Sequence, residues 1–374
     1  MSERVFSAPG RVEIGGNHTD HQHGRVLAAA INLETVCKAR ANGTNLVRLQ
    51  NAQYGSDLVD LSDLSVREDE KGKSAALIRG VAAWFKEKGY AIGGFDGTVS
   101  STIPPGAGLS SSAAFEVLMG NVFKGLFGSD VSALDIALAG QFAENVYFGK
   151  PCGLMDQAAS SFGGLVMIDF ENPQQPTVRN IPYNLVGYQL CVVDTKGDHA
   201  DLVDEYAAIP NEMCNIAKHF GKSVLREVEP ETFYQNIAAL RGYSDRAVLR
   251  AMHFFGENDR VLRQGEALAQ GKIRDFLDLV LESGQSSISR LQNIYPTFGI
   301  NNQEISLALA LSEQILKGEG AWRVHGGGFA GTILSFVPDE LRDEYKNRMR
   351  SVFGDNSCYF LNVCQENRPL DTVS

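Results

Sequence analysis

The chain has 374 residues, of which 44% are hydrophobic and 21% charged, and its formal net charge at pH 7 is −11. This length suits two globular domains, and the acidic balance argues against nucleic acid or an anionic membrane as a partner, since both select basic surfaces. No apolar run approaches the ~20 residues of a membrane span, and the first residues do not resemble a signal peptide. We therefore expect a cytoplasmic protein that binds small molecules. The oligomeric state stays open.

The first third of the chain alternates short β-rich runs with glycine and asparagine turns. The predicted strands are residues 26–31, 35–40 and 46–50. A helix is predicted over 75–88. A further strand is predicted over 97–103, and Pro104 ends it because proline cannot donate to a ladder.

The rest of the chain favours helices. Residues 113–127 are apolar almost all round, which predicts a central buried helix. The other predicted helices are 131–148, 200–220, 244–270 and 302–316. A strand is predicted over 190–195, and a late strand pair around the glycines at 326–328. We place the domain boundary between residues 182 and 183, which gives domains of residues 1–182 and 183–374.

A glycine- and serine-rich segment, PPGAGLSSSAA at residues 104–114, leads into the predicted central helix. Glycines let the backbone approach an anion, the first N–H groups of a helix suit phosphate oxygens, and serine hydroxyls can bind phosphate or Mg²⁺. The competing interpretation is a plain loop with a serine cap, and the Walker spacing is absent. The predicted ATP-binding residues are Gly106, Ala107, Gly108, Leu109, Ser110, Ser111 and Ser112.

The whole pattern of residues 104–114 resembles the phosphate loop of the GHMP kinases, the family of galactokinase, homoserine kinase, mevalonate kinase and phosphomevalonate kinase. The resemblance implies ATP and Mg²⁺ as cofactors. It also implies an α+β fold in two domains. The N-terminal one is a β-α-β domain similar to a ribosomal protein domain, and the C-terminal one is a ferredoxin-like α+β domain with added helices.

Two acidic residues flank a turn that a glycine and a proline create at 149–153. Glu144 falls on the last turn of one predicted helix and Asp156 near the start of the next, where an acidic residue is ordinarily a cap. Phosphoryl transfer, however, needs a base and cationic neutralisation of the transferring group. The stretch PCGLMDQ at 151–157 resembles the galactokinase branch. That resemblance implies Asp156 as the base, Glu144 and Ser112 as magnesium ligands, and Gly153 beside the sugar.

The first predicted strand and turn, residues 8–24, carry an unusual density of polar side chains. Three histidines and Asp20 in this segment could by themselves form a metal site, because imidazole and carboxylate are competent ligands. Ligands on one short loop rarely all converge, and no distant cluster supports them. A metal-dependent hydrolase is therefore a weaker alternative.

The same segment resembles the galactokinase signature G-R-V-N-L-I-G-E-H-T-D-Y-N-x-G. The resemblance implies that Arg11 lies beside the catalytic aspartate and favours its ionised form. It also implies that His18 and Asp20 bind the sugar. Residues 195–206 and 323–333 resemble the start of the family's second domain and its third motif, which implies that Tyr206 reaches the sugar.

Three of the departures from this signature bear on the choice of substrate. Asn17 stands where the family has an acidic residue thought to meet the C6 hydroxyl, His21 replaces a tyrosine, and Gln22 replaces an asparagine. A neutral amide would not repel a carboxylate at C6, and the Asp-His-Gln run resembles that of galacturonate kinases. Asn17 is thus a predicted substrate-binding residue, and the substrate stays open between galactose and galacturonate or another C6-altered galactose.

The predicted reaction transfers the γ-phosphoryl group of ATP to the anomeric hydroxyl of a galactose-like sugar. A non-catalytic sugar sensor is a further alternative, since fold does not fix function, but it should have lost the base or the serine loop. The family usually carries a tryptophan that stacks on adenine, and residues 72–81, the matching stretch, have none. The nucleotide preference therefore stays open.

Overall fold

A computed structural model of the chain describes residues 2–51, 55–128, 130–197, 202–299 and 301–364. The strands are β1 Arg4–Gly15, β2 Arg25–Ala41, β3 Leu46–Asn51, β4 Gly55–Asp60, β5 Phe95–Ser101, β6 Leu165–Asp169, β7 Thr177–Ile181, β8 Tyr188–Asp194, β9 Ala321–His325, β10 Thr332–Pro338 and β11 Cys358–Leu361. The α-helices are α1 Ser74–Glu87, α2 Ser111–Phe127, α3 Ala133–Phe142, α4 Met155–Phe162, α5 Val203–His219, α6 Pro230–Gln235, α7 Ile237–Leu240, α8 Asp245–Ala269, α9 Ile273–Ser286, α10 Glu304–Leu316 and α11 Arg342–Phe353.

The first seven strands form one sheet in the order β4-β3-β5-β2-β6-β7, with β1 paired to β2. The β3–β5 pair is parallel and the other pairs are antiparallel. Helices α2 and α4 pack against β1 and β2, while α1 packs against β4. This arrangement places the first turns of α2 and α4 next to the same end of β1, where the functional residues gather.

Strand β2 differs from the prediction. The sequence predicts two short strands, 26–31 and 35–40, whereas the structure has one strand of 17 residues. Its first half pairs with β6 and its second half with β5, so each half has a different neighbour beside the shared partner β1. Asn32, which looked like a turn residue, instead hydrogen-bonds with Asn362 between the two segments of β2 that pair with β6 and β5.

The second sheet has four antiparallel strands in the order β11-β8-β10-β9. Helix α9 packs on β9, and α8 packs on α9, while α10 and α11 contact β10. The observed mixture of two sheets and their helices matches the predicted α+β class.

The predicted boundary between residues 182 and 183 falls in the link between β7 and β8. A buried cluster nevertheless contains side chains from both sides of that link, among them Val12, Leu27, Leu277 and Leu334. Burying one such leucine contributes about 1.5–3 kcal/mol. Because this core is shared, the division into two domains stays a prediction.

Most predicted helices correspond to observed ones. The helices predicted over 75–88, 113–127, 244–270 and 302–316 coincide within two residues with α1, α2, α8 and α10. The helix predicted over 131–148 is α3 followed by a π-helical turn, Ala143–Phe148. The helix predicted over 200–220 corresponds to α5, and its first residues lie outside the described ones. In the described part of the chain, no helix combines the length and apolar character needed to span a membrane.

Candidate active site

The centre of the site is an ion pair between β1 and the first turn of α4. Arg11 Nε lies 2.7 Å from Asp156 Oδ1, and Arg11 Nη2 lies 2.7 Å from Oδ2, so the guanidinium binds the carboxylate with two parallel hydrogen bonds. Arg11 is only 8% exposed. Bidentate pairs of this kind fix orientation as well as charge. The structure thus brings together the two predicted catalytic residues.

The glycine- and serine-rich segment, residues 104–112, wraps around this pair and is called the cradle below. Arg11 Nη1 donates to the carbonyl of Gly108 at 2.6 Å, and the backbone N–H of Arg11 donates to the carbonyl of Leu109. Ser110 donates its hydroxyl to Asp156 Oδ2. The cradle, the arginine and the aspartate therefore form one hydrogen-bonded unit.

The cradle's conformation follows from its alternating residues. Gly106, Gly108 and Ser110 have φ angles of 75°, 68° and 56°, in the left-handed region that strains a residue with a side chain. Between them, Ala107 and Leu109 are buried in the core and anchor the loop. These two predicted ATP-binding residues can therefore offer only backbone groups to a phosphate. Ser111 and Ser112 begin α2, where helix N–H groups lack intrahelical partners.

Asp156 is ionised more readily than an isolated aspartate. Desolvation of the partly buried carboxyl would raise its pKa, but the charge and hydrogen bonds of Arg11, together with the Ser110 hydroxyl, outweigh this effect. The pKa of Asp156 is consequently lowered from its ordinary value. At neutral pH the site therefore holds a carboxylate that can accept a proton in the transition state.

Glu144 lies beside Ser112 at the mouth of the cradle. It sits in the π-helical turn after α3, and such turns are frequent at functional sites. Its Oε1 is 3.4 Å from Ser112 Oγ and 3.5 Å from Lys150 Nζ. A carboxylate and a hydroxyl are the oxygen donors that Mg²⁺ prefers. The chemistry and proximity of these two predicted metal ligands thus fit a magnesium ion.

A second buried carboxylate, which the sequence analysis missed, stands behind Glu144. Gln157 Nε2 donates to Glu116 Oε2 at 2.9 Å and to Glu144 Oε2 at 3.0 Å. Desolvation, reinforced by the charge of Glu144, raises the pKa of Glu116 well above its ordinary value. Because Gln157 donates to Oε2 of Glu144, it fixes the orientation of that carboxylate. The available signal was Glu116 itself, the one acidic residue of the largely apolar helix α2.

The loop between β1 and β2, residues 16–24, is called the sugar loop below because it carries the predicted sugar ligands. Its Asp20 approaches Gly153 so closely that a Cβ atom at position 153 would lie 2.5 Å from Asp20 Oδ2. The absence of a side chain at Gly153 is therefore required by this packing. Burial raises the pKa of Asp20 above its ordinary value. The structure brings both predicted residues to the turn before Asp156.

Two histidines of the sugar loop form a directional chain of hydrogen bonds. His18 Nε2 lies 3.0 Å from the carbonyl of Gly327, which can only accept, so His18 donates there. His18 Nδ1 then accepts from His21 Nε2 at 3.4 Å. Burial lowers the pKa of His18, and it lowers that of His21 well below the usual range. Both imidazoles are therefore neutral and join the sugar loop to the glycine segment.

Asn17 does not lie where the sequence analysis expected it. Its side chain is completely buried, and Asn17 Nδ2 donates to Glu13 Oε1 at 3.1 Å and to the carbonyl of Gly326 at 2.7 Å. Asn17 Oδ1 accepts from Asn293 Nδ2 at 2.9 Å. Because protein groups take up both ends of this amide, the side chain faces the interior rather than a ligand. The expected contact with a C6 substituent is not supported.

The Glu13 carboxylate, which accepts the hydrogen bond from Asn17, belongs to a buried ion pair with Arg323. Arg323 Nη2 donates to Glu13 Oε1 at 2.6 Å, and Arg323 Nη1 donates to the carbonyl of Ile14. Burial raises the pKa of Glu13, although Arg323 opposes this effect. The family signature has an asparagine and a glutamate at the positions of Glu13 and Asn17. The two residue types are thus exchanged here, and the acidic one is neutralised inside the protein.

Tyr206 contacts the glycine-rich segment after β9. Its hydroxyl lies 2.9 Å from the carbonyl of Gly328, and its ring packs edge-on against Phe329. A Cβ atom at Gly327 would meet the Tyr206 ring at 2.7 Å. Burial raises the pKa of Tyr206 to about 12, so the hydroxyl stays protonated and donates. Residues 198–201 of the segment 195–206 lie outside the described residues.

The metal-dependent hydrolase finds no support in this geometry. Among the described residues, no group of three or more histidine, cysteine, aspartate or glutamate side chains is arranged to hold a metal ion. His18 and His21 are occupied by the hydrogen-bond chain described above.

Comparison with known proteins agrees with this geometry. The family described as "GHMP kinases N terminal domain" matches residues 76–164, and the family described as "Galactokinase galactose-binding signature" matches residues 1–41. A galactokinase of Actinobacillus pleuropneumoniae serotype 3 (strain JL03) is 32% identical over 95% of this chain and 89% of its own length. A galactokinase of Glaesserella parasuis serovar 5 (strain SH0165) is 34% identical over 91% of this chain and 86% of its own length.

Solved structures give the same result. The Lactococcus lactis galactokinase complexed with galactose has a TM-score of 0.83 and 25% identity, over 98% of this chain and 95% of that one. A mevalonate kinase structure has a TM-score of 0.69 at 16% identity, over 97% of this chain and 100% of that one, which shows the shared fold. The chain therefore belongs to the galactokinase family of the GHMP kinases, enzymes that transfer a phosphoryl group to an alcohol oxygen.

Proposed function

We propose that the protein is a galactose 1-kinase, which converts galactose and ATP to galactose 1-phosphate and ADP. The observation that carries the proposal is the bidentate Arg11–Asp156 pair, which is hydrogen-bonded through Ser110 to the cradle. A base and a phosphate-binding loop in direct contact are the arrangement that phosphoryl transfer to a hydroxyl requires.

In this mechanism the anomeric oxygen of the sugar attacks the γ-phosphorus of ATP. The bond between the γ-phosphorus and the bridging oxygen breaks, ADP leaves, and the hydroxyl proton passes to Asp156. Arg11 stabilises the carboxylate before the reaction and lies beside the charge that develops on the transferring group. The N–H groups at the start of α2 face the phosphates.

We further propose that Ser112 and Glu144 hold Mg²⁺. The ion would neutralise charge on the β- and γ-phosphates when it is bound. Lys150, which is paired with Glu144 in the structure, supplies further positive charge at the cradle mouth. Gln157 keeps Glu144 facing that position. Because the reaction consumes ATP, we place the enzyme in the cytoplasm.

We propose that Asp20 binds the sugar, with Gly153 allowing Asp20 to approach. His18 lies beside the sugar, and because both its ring nitrogens are bonded to protein groups, it positions the sugar loop against the glycine segment that Tyr206 also supports. The galacturonate alternative depended on Asn17 facing C6, and the inward position of that side chain removes its main support. A non-catalytic sensor is not favoured, since the base and the serine loop are both present and in contact.

The test is ADP release from ATP and Mg²⁺ with galactose or galacturonate as acceptor, with Asp156→Ala as the control. We expect turnover with galactose, little with galacturonate, and loss of the reducing end of the sugar as its anomeric oxygen is phosphorylated. Galacturonate as the better acceptor would contradict the substrate assignment. Absence of turnover with both sugars would contradict the kinase assignment.

A further inference from the structure

Helix α8 belongs to the second half of the chain, but it contacts β1 and β2, the two strands that the sugar loop joins. β1 ends at Gly15 and β2 begins at Arg25, so the backbone of the loop between them needs hydrogen-bond partners from outside the sheet. Residues four positions apart lie one above the other along a helix. Two such pairs of α8 residues contact the loop or the residue after it, 253 with 257 and 254 with 258.

The first pair of α8 contacts holds the start of the sugar loop. Glu257 Oε1 accepts a hydrogen bond from the backbone N–H of Gly16 at 3.1 Å. His253 Nε2 lies 2.9 Å from the carbonyl of Asn17, which can only accept, so His253 donates there. One turn of the helix thus fixes two adjacent residues of the loop.

The second pair of α8 contacts holds the end of the same loop. Asn258 Oδ1 accepts a hydrogen bond from the backbone N–H of Arg25 at 2.9 Å. A Cβ atom at Gly24 would lie 2.9 Å from the ring of Phe254, so the helix packs directly against the last residue of the loop. Both ends of the sugar loop are therefore held by one rigid element.

The two side chains at the start of the loop are themselves fixed. Both are completely buried. His253 Nδ1 accepts from the Ser286 hydroxyl at 2.9 Å, and burial lowers the pKa of His253 to about 4, so the neutral imidazole keeps its proton on Nε2. Burial would raise the pKa of Glu257, but the charge of Arg260 and the Ser283 hydroxyl help to lower it to about 2. The helix thus offers one fixed donor and one fixed acceptor.

The point at which α8 holds the loop controls the direction of the chain toward Asp20. Gly16 and His18, on either side of Asn17, have φ angles of 90° and 57°, so the backbone turns sharply at both positions. Asp20 follows and fits closely against Gly153. A small rotation at Asn17 would therefore displace the Asp20 carboxylate.

Building on the proposed galactose kinase function, we propose that His253, Glu257 and Asn258 are positioning residues for sugar binding. They hold the two ends of the sugar loop, so that Asp20 already stands at the sugar site before the sugar arrives. They act through the backbone of the loop and touch neither the sugar nor ATP. Preorganisation of this kind lowers the cost of ordering a loop on binding.

The test compares His253→Leu, which removes the donor, with His253→Gln, which can place an N–H group at about the position of the imidazole Nε2. Amide hydrogen exchange of residues 16–24 is measured by mass spectrometry, and the KM values for galactose and ATP are measured on the same preparations. In His253→Leu we expect exchange in the loop to rise by roughly tenfold. The KM for galactose should rise by roughly tenfold as Asp20 is displaced, while the KM for ATP stays the same.

His253→Gln should keep both values close to those of the wild type. Asn258→Ala is the milder second variant, because Asn258 is only half-buried. It should raise the KM for galactose by about threefold through the other end of the loop. These two variants keep the inference testable if His253→Leu does not fold.

The control for a general loss of stability is Tyr345→Phe. The Tyr345 hydroxyl is buried and hydrogen-bonds with Ser312 and Ser335, away from the sugar loop. This variant should unfold at a lower temperature without a change in loop exchange or in the KM for galactose. An equal rise of that KM in Tyr345→Phe, or unchanged loop exchange in His253→Leu, would overturn the inference.

Failure of this inference and failure of the kinase assignment give different results. Phosphorylation of galactose with equal KM values in the wild type and His253→Leu would overturn the role of His253 and leave the kinase assignment intact. Faster loop exchange and weaker galactose binding by calorimetry in His253→Leu, without phosphorylation by the wild type, would support that role and contradict the kinase assignment.

Discussion

The two sides of the active site relate differently to the family pattern. On the phosphate side, the cradle, Arg11 and Asp156 match the expected motifs and contact one another directly. On the sugar side, the loop before β2 keeps Asp20 and His18, but its Asn17 is turned into the interior. The comparison teaches that a matched motif predicts the chemistry of its residues well. A departure from the motif is harder to interpret, because the new side chain can face the interior of the protein instead of contacting a different group of the ligand.

The largest loss of activity is expected from a substitution on the phosphate side, at Arg11. Arg11→Gln removes the charge that lowers the pKa of Asp156, so burial should dominate and that pKa should rise. We expect kcat to fall by about 10²–10³-fold. The acid limb of the pH–rate profile should move to higher pH, because protonation of the base inactivates the enzyme.

Arg25→Gln is the matched control for this change, because Arg25 forms a comparable ion pair with Asp169 away from the cradle. Its pH–rate profile should stay as in the wild type. An unchanged acid limb in Arg11→Gln would show that the charge of Arg11 does not control Asp156.

The next largest effect is expected at the proposed magnesium site, on the Mg²⁺ requirement of the reaction. Glu144→Gln replaces a carboxylate oxygen by an amide, which is a weaker ligand for a hard cation. We expect the Mg²⁺ concentration for half-maximal activity to rise by about tenfold, since ligand charge tunes affinity. Titration of Mg²⁺ at a fixed total concentration of ATP measures it, and an unchanged requirement would contradict the assignment of Glu144.

On the sugar side, Gly153→Ala should raise the KM for galactose by about tenfold. The new Cβ would lie 2.5 Å from Asp20 Oδ2, so the carboxylate must move from its position. A displacement of this kind near the substrate weakens binding and positioning. The KM for ATP should stay the same, and a parallel rise in both KM values would indicate a general distortion instead.

The smallest effect on catalysis is expected from a substitution of Asn17. This position also differs most clearly from the family pattern. Asn17→Ala leaves the carbonyl of Gly326 without its donor, and a buried unsatisfied group costs about 1–3 kcal/mol. We expect that loss in the free energy of unfolding in urea, with an unchanged preference for galactose over galacturonate.

Asn293→Ala removes the nearer of the two donors to Asn17 Oδ1 and serves as the companion variant. The double variant should lose less stability than the sum of the two single losses, because both residues belong to one network. A changed sugar preference in Asn17→Ala would contradict its inward position.

Local patterns predicted much of this structure. Apolar periodicity marks α1, α2, α8 and α10, and Pro104 with the glycines after it marks the turn from β5 into α2. The residues of the phosphate side were predictable because they lie in two compact motifs. The same reasoning missed α9, although its apolar residues bury one face against β9.

The features that the sequence did not predict depend on contacts between residues far apart in the chain, which no local pattern records. Asn17 is held by Asn293 and Gly326, which lie 276 and 309 positions away. Glu116 and Glu144 share Gln157 although three different elements carry them. Strand β2 is continuous because it has a partner on both sides, and such pairing is set by tertiary structure rather than by intrinsic preference.

The central claim is that Asp156 is the base of a phosphoryl transfer to a sugar hydroxyl. Asp156→Asn tests it most directly, with kcat measured by ADP release and galactose binding measured by calorimetry on the same preparation. We expect kcat to fall by about 10²–10⁴-fold, the usual contribution of a general base, while galactose binding changes little. A variant that keeps most of its kcat would contradict the account.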